Sequence, residues 1–193
     1  MDIKNERDNP TSLAEKQSFS GPKRLNEIVL ETPLGVLVGE TQRRGEIEIS
    51  SFKGIPYALP PTGDRRWKPA EPIEPWVGQR HALEFSPQAM QVMDTDVSGI
   101  YYCPIGLMSE DCLYLNIWTP KQEGQKYPVM VWIHGGSLMT GSSSLPIYDG
   151  AELARKGVVV VSINYRLGVF GYFSHPELTS ESPHNASGNY GTT

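Results

Sequence analysis

The chain has 193 residues and carries 17 Lys and Arg against 22 Asp and Glu, a net charge of −5. This length suits one domain or a part of a larger one. An acidic balance without long charge runs argues against a protein that binds nucleic acid by neutralising phosphates. No stretch approaches the roughly 18 consecutive apolar residues that a membrane span requires. Two cysteines, Cys103 and Cys112, are too few for a scaffold built on disulfides.

The first 25 residues alternate charged and polar side chains and lack the apolar core of a secretory signal. We expect residues 1–25 to be a disordered leader and residues 26–193 to be the folded part. Without a signal segment, a cytoplasmic location is the default expectation, and the sequence does not fix it further.

The first elements are strands. Apolar residues alternate with polar or small ones from Ile28 to Val38 around the break at 32–35, which predicts a β-hairpin. Alternation from Ile47 predicts another strand that runs into Phe52. Residues 54–79 are rich in proline, which lacks a ladder N–H, and they are predicted to be an ordered loop.

Three aromatic residues of that loop are expected to pin it to a core, namely Tyr57, Trp67 and Trp76. Residues 86–109 show no clear period and are also predicted to be loop.

The second half predicts a βαβ unit. Leu113 to Ile117 alternate as a strand, and residues 127–133 are apolar on both faces, as in a central strand of a covered sheet. Asp149 can cap a short helix that buries Leu153 and Ala154 and ends at Gly157. Residues 158–163 form the next apolar strand. Strand, helix and strand in this order predict two parallel strands in an α/β sheet.

The segment His134-Gly135-Gly136-Ser137 directly follows the first of these apolar strands. Enzymes that acylate a serine need fixed N–H donors where the tetrahedral oxyanion forms. Consecutive glycines let neighbouring amides converge on one point, and such loops form part of the oxyanion hole in lipases and esterases. An ordinary glycine turn after a strand has the same composition, so these four residues alone leave both interpretations open.

The run Glu110-Asp111-Cys112-Leu113-Tyr114-Leu115-Asn116 decides between them. Here the sequence resembles the type-B carboxylesterase and cholinesterase-like family of α/β hydrolases, for which this run is a signature. Further matching segments follow in the family's order and span residues 33–191: 52–58, 60–63 with Arg66, 86–88, 132–136, 148–150, 164–171 and 188–191. The resemblance implies the N-terminal portion of an α/β-hydrolase fold, in which antiparallel strands lead into a mostly parallel sheet.

The resemblance also implies roles for individual residues. The amides of Gly136 and Ser137, with Gly135 shaping the turn, correspond to two of three oxyanion-hole donors. His134 corresponds to a scaffold residue and not to the catalytic base.

Four charged residues correspond to structural ion pairs of the family. These pairs are Arg66 with Glu110 and Asp111 with Arg166.

Three departures from the family pattern bear on these roles. Ser86 stands where many members have the cysteine that bonds the cysteine of the signature run, so Cys112 lacks that partner. Cys112 could pair with Cys103, but two free thiols are expected in a reducing compartment. Leu138 replaces a common aromatic residue after the glycines. The glycosylation sequon that begins at Asn185 is interpreted as a coincidence.

The catalytic residues themselves are not found in this sequence. An α/β hydrolase carries its serine in a G-x-S-x-G elbow, followed by the acid and the histidine, and residues 1–193 contain no such elbow. His81, His175 and His184 lie in loop-like surroundings and are interpreted as surface histidines.

In the family the elbow follows the 188–191 segment. We therefore expect the fold to be truncated before the nucleophile and the polypeptide to be inactive alone. We also expect it to be poorly soluble, because an apolar strand would be left at an unprotected sheet edge.

The sequence predicts that the chain is the N-terminal part of a serine carboxylesterase, which would hydrolyse a small-molecule carboxylic ester through an acyl-enzyme. A non-catalytic, esterase-like binding protein is the alternative. No metal cluster or phosphate-binding loop occurs, so no metal and no cofactor are expected, nor are nucleic-acid partners. The acyl and alcohol specificity, the oligomeric state and the ability of the chain to fold alone are left open.

Overall fold

A computed structural model describes residues 26–92, 106–121 and 124–192. Nine strands are found in this part of the chain: β1 Glu27–Thr32, β2 Gly35–Arg44, β3 Ile47–Pro56, β4 Gln79–His81, β5 Gln88–Ala89, β6 Met108–Ser109, β7 Tyr114–Pro120, β8 Val129–Ile133 and β9 Val159–Ile163. The helices are short: α1 Ala151–Ala154, α2 Gly168–Tyr172, α3 Pro176–Glu181, and 3-10 turns at Gly63–Arg65 and Pro146–Tyr148.

The main sheet is mixed and has the strand order β1-β2-β3-β7-β9-β8, with β4 beside β2. Its pairs are antiparallel from β1 to β9, while β8 runs parallel to β9 and β4 parallel to β2. The described strands thus contain the antiparallel lead-in and one parallel pair at the far edge. A separate two-residue pairing joins β5 to β6.

The predicted hairpin is confirmed, and its turn shows why it forms. Thr32 and Gly35 are paired across a two-residue loop, and the Thr32 hydroxyl donates to the Gly35 carbonyl at 2.7 Å. Gly35 has φ +139, and a Cβ there would lie 2.5 Å from Nε1 of Trp76. That indole in turn donates to the Val36 carbonyl at 3.1 Å. The loop aromatic is therefore packed on the hairpin as expected.

The predicted βαβ unit is also confirmed as a parallel β8–β9 pair, although its helix differs in detail. Asp149 does bond the helix start, since its carboxylate accepts from the Ala151 amide at 2.8 Å. Ala154 is fully buried against Trp118 as predicted. The prediction that Leu153 is buried is wrong, because the single helical turn buries its two alanines and leaves Leu153 44% exposed.

The core consists of three clusters along the sheet. One surrounds Trp118 between the sheet and α1, a second surrounds Phe52 near the hairpin, and the third surrounds Cys112 and Tyr165. By contrast β8 is exposed along its whole length, and Val129 and Ile133 retain 64% and 54% of their accessible surface. In the part of the chain that the structure describes, this apolar strand pairs only with β9 and forms the sheet's edge.

Within the described ranges, no helix has the length and apolarity that crossing a bilayer would require.

Candidate functional site

The segment after β8, residues 134–141, makes a tight turn that we call the glycine loop. Gly136, Ser137 and Leu138 have φ values of +126, +53 and +62, three successive residues in left-handed backbone conformations. The turn is closed by the Gly136 carbonyl, which accepts from the amides of Met139 and Thr140 at 3.0 Å each. A Cβ on Gly136 would overlap the Thr140 carbonyl oxygen, so the turn requires glycine there.

This conformation leaves two neighbouring amides available. Gly136 and Ser137 are exposed, and neither amide donates a hydrogen bond to another group in the described ranges. A left-handed conformation costs a non-glycine residue about 1 kcal/mol or more, and such strain is concentrated at functional sites. Exposed N–H groups without a partner in the described ranges are donors of the kind that bind an oxygen carrying negative charge.

His134 supports the loop from below. It is buried, its ring stacks on Tyr165 with centroids 4.5 Å apart, and its carbonyl accepts from the Tyr165 hydroxyl at 2.8 Å. Its Nδ1 lies 2.9 Å from the Gly135 carbonyl oxygen, which can only accept, so Nδ1 carries the proton. Burial lowers the pKa of His134 and the bond to Gly135 opposes that shift, which favours a neutral ring in a supporting position.

Three side-chain amides hold the far end of the loop and the residues just beyond it. Gln91 bonds both backbone groups of Gly141, accepting from its N–H at 2.8 Å and donating to its carbonyl at 2.9 Å. Asn164 accepts from the Ser143 amide at 2.8 Å. Asn116 donates to the Ser143 hydroxyl at 3.0 Å and accepts from the Gly54 amide at 3.0 Å.

Sequence reasoning assigned no role to these three amides. Asn116 and Asn164 stood within matched segments, but Gln91 lies in a stretch without a period. Nothing in the sequence indicated its partner fifty residues away.

Arg66 and Glu110 form a two-point ion pair, with Nε and Nη2 each 2.5 Å from a carboxylate oxygen. This bidentate geometry raises the pKa of Arg66, the hydrogen bond to Glu110 being the larger cause. The guanidinium also lies 5.7 Å from the ring of Trp67. The Trp67 indole donates to the Val169 carbonyl at 2.8 Å, so the proline-rich loop is joined to α2.

For Asp111 and Arg166, the second expected pair, the side-chain contacts found among the described residues are to other groups. Asp111 accepts from the hydroxyl of Tyr114 at 3.1 Å, while buried Arg166 donates through Nη1 to the Lys68 carbonyl at 2.8 Å. Desolvation lowers the pKa of Arg166. Arg166 thus supports the proline-rich loop, and its Nη1 is directed at a backbone oxygen where the resemblance implied a carboxylate.

Cys112 is a buried free thiol, and burial raises its pKa to about 12. The Ser86 hydroxyl, at the position of the family's usual cysteine, accepts from the Asn164 amide at 3.4 Å. Cys103, the other possible partner of Cys112, lies outside the described residues. Residues 26–92, 106–121 and 124–192 bring no three His, Cys, Asp or Glu side chains together in a way that could hold a metal ion.

Comparisons with known proteins point to the same family that the sequence motifs resemble. The model of the carboxylesterase family matches residues 26–193. The chain is 48% identical over 151 residues to a fumonisin B1 esterase from Sphingopyxis macrogoltabida, covering 76% of this chain and 26% of that protein. It is 46% identical over 155 residues to an acetylcholinesterase from Danio rerio, covering 77% and 24%. It is 46% identical over 150 residues to a cocaine esterase from Oryctolagus cuniculus, covering 74% and 27%. The chain spans about a quarter of the length of these curated relatives.

Proposed function

Since the chain belongs to the carboxylesterase family, we propose that it provides the oxyanion-hole loop of a serine esterase that hydrolyses carboxylic esters through an acyl-enzyme. The observation that carries this proposal is the pair of exposed amides at Gly136 and Ser137, neither of which donates a hydrogen bond within the part of the chain that the structure describes. The left-handed turn around them keeps both amides out of regular secondary structure.

The chemistry of ester cleavage explains the value of such a pair. When a serine oxygen adds to the ester carbonyl, the carbonyl oxygen becomes an alkoxide, and donors already in place stabilise it without reorganising. Collapse of this intermediate expels the alcohol and leaves the acyl-enzyme, which water then hydrolyses by the same route. The two amides act in both halves of the reaction, while the neutral His134 ring and Gln91 support the loop.

The nucleophile does not come from residues 1–193, because they contain no G-x-S-x-G elbow. The three histidines away from the loop are all exposed, namely His81, His175 and His184, and the Nδ1 of His175 accepts from the Glu177 amide at the start of α3. We therefore propose that this polypeptide does not turn over an ester by itself. The serine, its acid and its base, and the third oxyanion donor would have to be added.

A chimera tests the proposal. Residues 26–192 of this chain replace the matching segment of the Sphingopyxis fumonisin B1 esterase, and hydrolysis of a short-chain nitrophenyl ester is measured. The chimera should hydrolyse the ester, and the 193-residue chain by itself should not. In the chimera, Gly136→Ala should lower kcat by about a hundred- to a thousandfold with little change in KM, because a displaced donor is lost chiefly from the transition state.

The matched control is Gly45→Ala. Gly45 also has positive φ, +64, but nothing lies within 4 Å of a Cβ there. The Gly45→Ala substitution therefore imposes a similar conformational penalty for a positive φ but leaves the glycine loop unchanged. The proposed role of the loop is wrong if Gly136→Ala and Gly45→Ala reduce kcat of the chimera equally, and the proposed inactivity is wrong if the 193-residue chain by itself hydrolyses the ester.

A further inference from the structure

We propose that Gln91 is a positioning residue that fixes the conformation of the glycine loop. The role of that loop in catalysis rests on the proposed function, but the positioning itself does not. The Gln91 side chain bonds one residue at two points, with Oε1 2.8 Å from the Gly141 nitrogen and Nε2 2.9 Å from the Gly141 oxygen. Its Nε2 also donates to the Ala89 carbonyl at 3.1 Å, which orients the amide.

The position of Gly141 makes this contact consequential. Gly141 has φ +115, and a Cβ there would lie 2.5 Å from both the Gly135 carbonyl oxygen and His134 Nδ1. The exit of the loop is therefore packed directly on its entrance. Whatever holds the backbone of Gly141 also sets where Gly135 lies and hence where the next two amides point.

Among the described residues, the loop and the residues just beyond it have few other attachments. The Gly168 amide donates to the Leu138 carbonyl at 2.8 Å, and the Ser143 amide is held by Asn164 beyond the exit. Gln91 alone among these contacts engages both the donor and the acceptor of one loop residue, as a neighbouring strand would. It therefore resists rotation of the Gly141 peptide groups as well as their translation.

The same segment also borders a cavity of about 370 Å³ beside the loop. Met90 and Val92 line it together with Met139, a residue of the glycine loop. Gln91 lines this cavity as well, so its bond to Gly141 connects the cavity lining to the glycine loop.

Substitution by glutamate separates a hydrogen-bonding role from simple packing. An ionised carboxylate at position 91 offers only acceptors, and it would face the carbonyl oxygens of Gly141 and Ala89. A protonated carboxyl group again offers one donor and one acceptor in nearly the same shape. The contact should therefore be lost in Gln91→Glu at neutral pH and regained in acid. The titratable group against Gly141 is His134, which wild type shares, so each variant is compared with wild type at the same pH.

The experiment is hydrogen exchange followed by mass spectrometry, on the full 193-residue chain at micromolar concentration. In Gln91→Glu near pH 7.5, the peptide covering 134–141 should exchange about tenfold faster than in wild type. Near pH 4.5 the difference should fall to about threefold or less. Gln91→Met, which keeps the length of the side chain but not its polar atoms, should exchange faster at both pH values.

Two controls guard the result. Gln79→Glu, at an exposed position of β4, should leave the 134–141 peptide unchanged at both pH values. Peptides from β2 and β3 report general destabilisation, so the readout is the ratio of loop to sheet exchange. Equal exchange in Gln91→Glu, Gln91→Met and wild type overturns the proposal, as does an acceleration in Gln91→Glu that acid does not reverse.

In the esterase chimera, Gln91→Glu should lower kcat more than it changes KM, with recovery toward acid relative to the unsubstituted chimera. If Gln91→Glu accelerates exchange in the loop but the unsubstituted chimera does not hydrolyse the ester, the positioning role of Gln91 stands and the proposed function is refuted.

Discussion

The thiol of Cys112 should be almost inert to alkylation in the folded chain. It is 1% exposed and packs against Leu113, Tyr165 and Leu167. Burial, the largest cause, raises its pKa from 9.0 to about 12, and Arg166 opposes this only in part. Because the thiolate is the nucleophile, reactivity follows its fraction. At pH 8 that fraction falls from about one in ten to about one in ten thousand, a loss of about a thousandfold before steric exclusion is counted.

The assay follows iodoacetamide uptake at pH 8 by intact mass. Cys103→Ser leaves Cys112 as the only thiol, and the same variant in concentrated urea supplies the reference rate. We expect the native rate to be at least about a thousandfold below that in urea, with any slow labelling limited by unfolding. A native rate within about tenfold of the urea rate would refute the reasoning, because Cys112 would then have to be accessible and easily ionised.

Three further predictions concern the folded chain. Because burial lowers the pKa of His134 below its usual 6.5, the unfolded chain binds a proton below about pH 6.5 that the folded chain does not. The free energy of unfolding should therefore decrease as the pH is lowered below about 6.5, by at most about 1.4 kcal/mol per pH unit from this residue. Urea titrations at several pH values should show that the free energy of unfolding depends less steeply on pH in His134→Phe than in wild type, and equal slopes would contradict this. Val131 is 56% exposed on the β8 edge, so the chain should self-associate at tens of micromolar in size-exclusion chromatography, and Val131→Lys should suppress this. Val29→Lys on the opposite edge strand should not, and equal suppression by both would remove β8 as the cause. Gly171 is buried and a Cβ there would overlap a backbone carbonyl, so Gly171→Ala should cost about 1–3 kcal/mol in thermal unfolding. Val169→Ala on the exposed side of the same helix should cost less than about 0.5 kcal/mol, and similar losses from both would contradict the packing argument.

The alternation or run of apolar residues predicted the longer strands well, because this pattern is contained in one short, contiguous segment of the sequence. The hairpin at Thr32–Gly35 and the apolar runs of β8 and β9 are of this kind. A pattern cannot say how many neighbours a strand has. The two-sided apolar character of β8 is typical of a central strand, whereas the comparison with the family's motif order led us to expect an apolar strand at a sheet edge; in the described residues β8 lies at the edge.

Side-chain partners were the weaker part of the prediction. The two-point bond between Arg66 and Glu110 is present, but Asp111 and Arg166 bond different partners. Asp111 precedes β7 and Arg166 follows β9, so the paired strands bring the two backbones to the same end of the sheet without choosing their side-chain partners. Their side chains therefore depend on where the proline-rich loop places the Lys68 carbonyl and where Tyr114 places its hydroxyl.

The amino-acid sequence by itself determined the family, the strand periods and the position of the two candidate donors at Gly136 and Ser137, because these are written in contiguous residues. Tertiary structure decided what holds those donors. The left-handed turn, the stacking of His134 on Tyr165 and the bond from Gln91 to Gly141 join segments that are distant along the chain. Such contacts exist only after the sheet has brought those segments together, since no local preference encodes a partner fifty residues away.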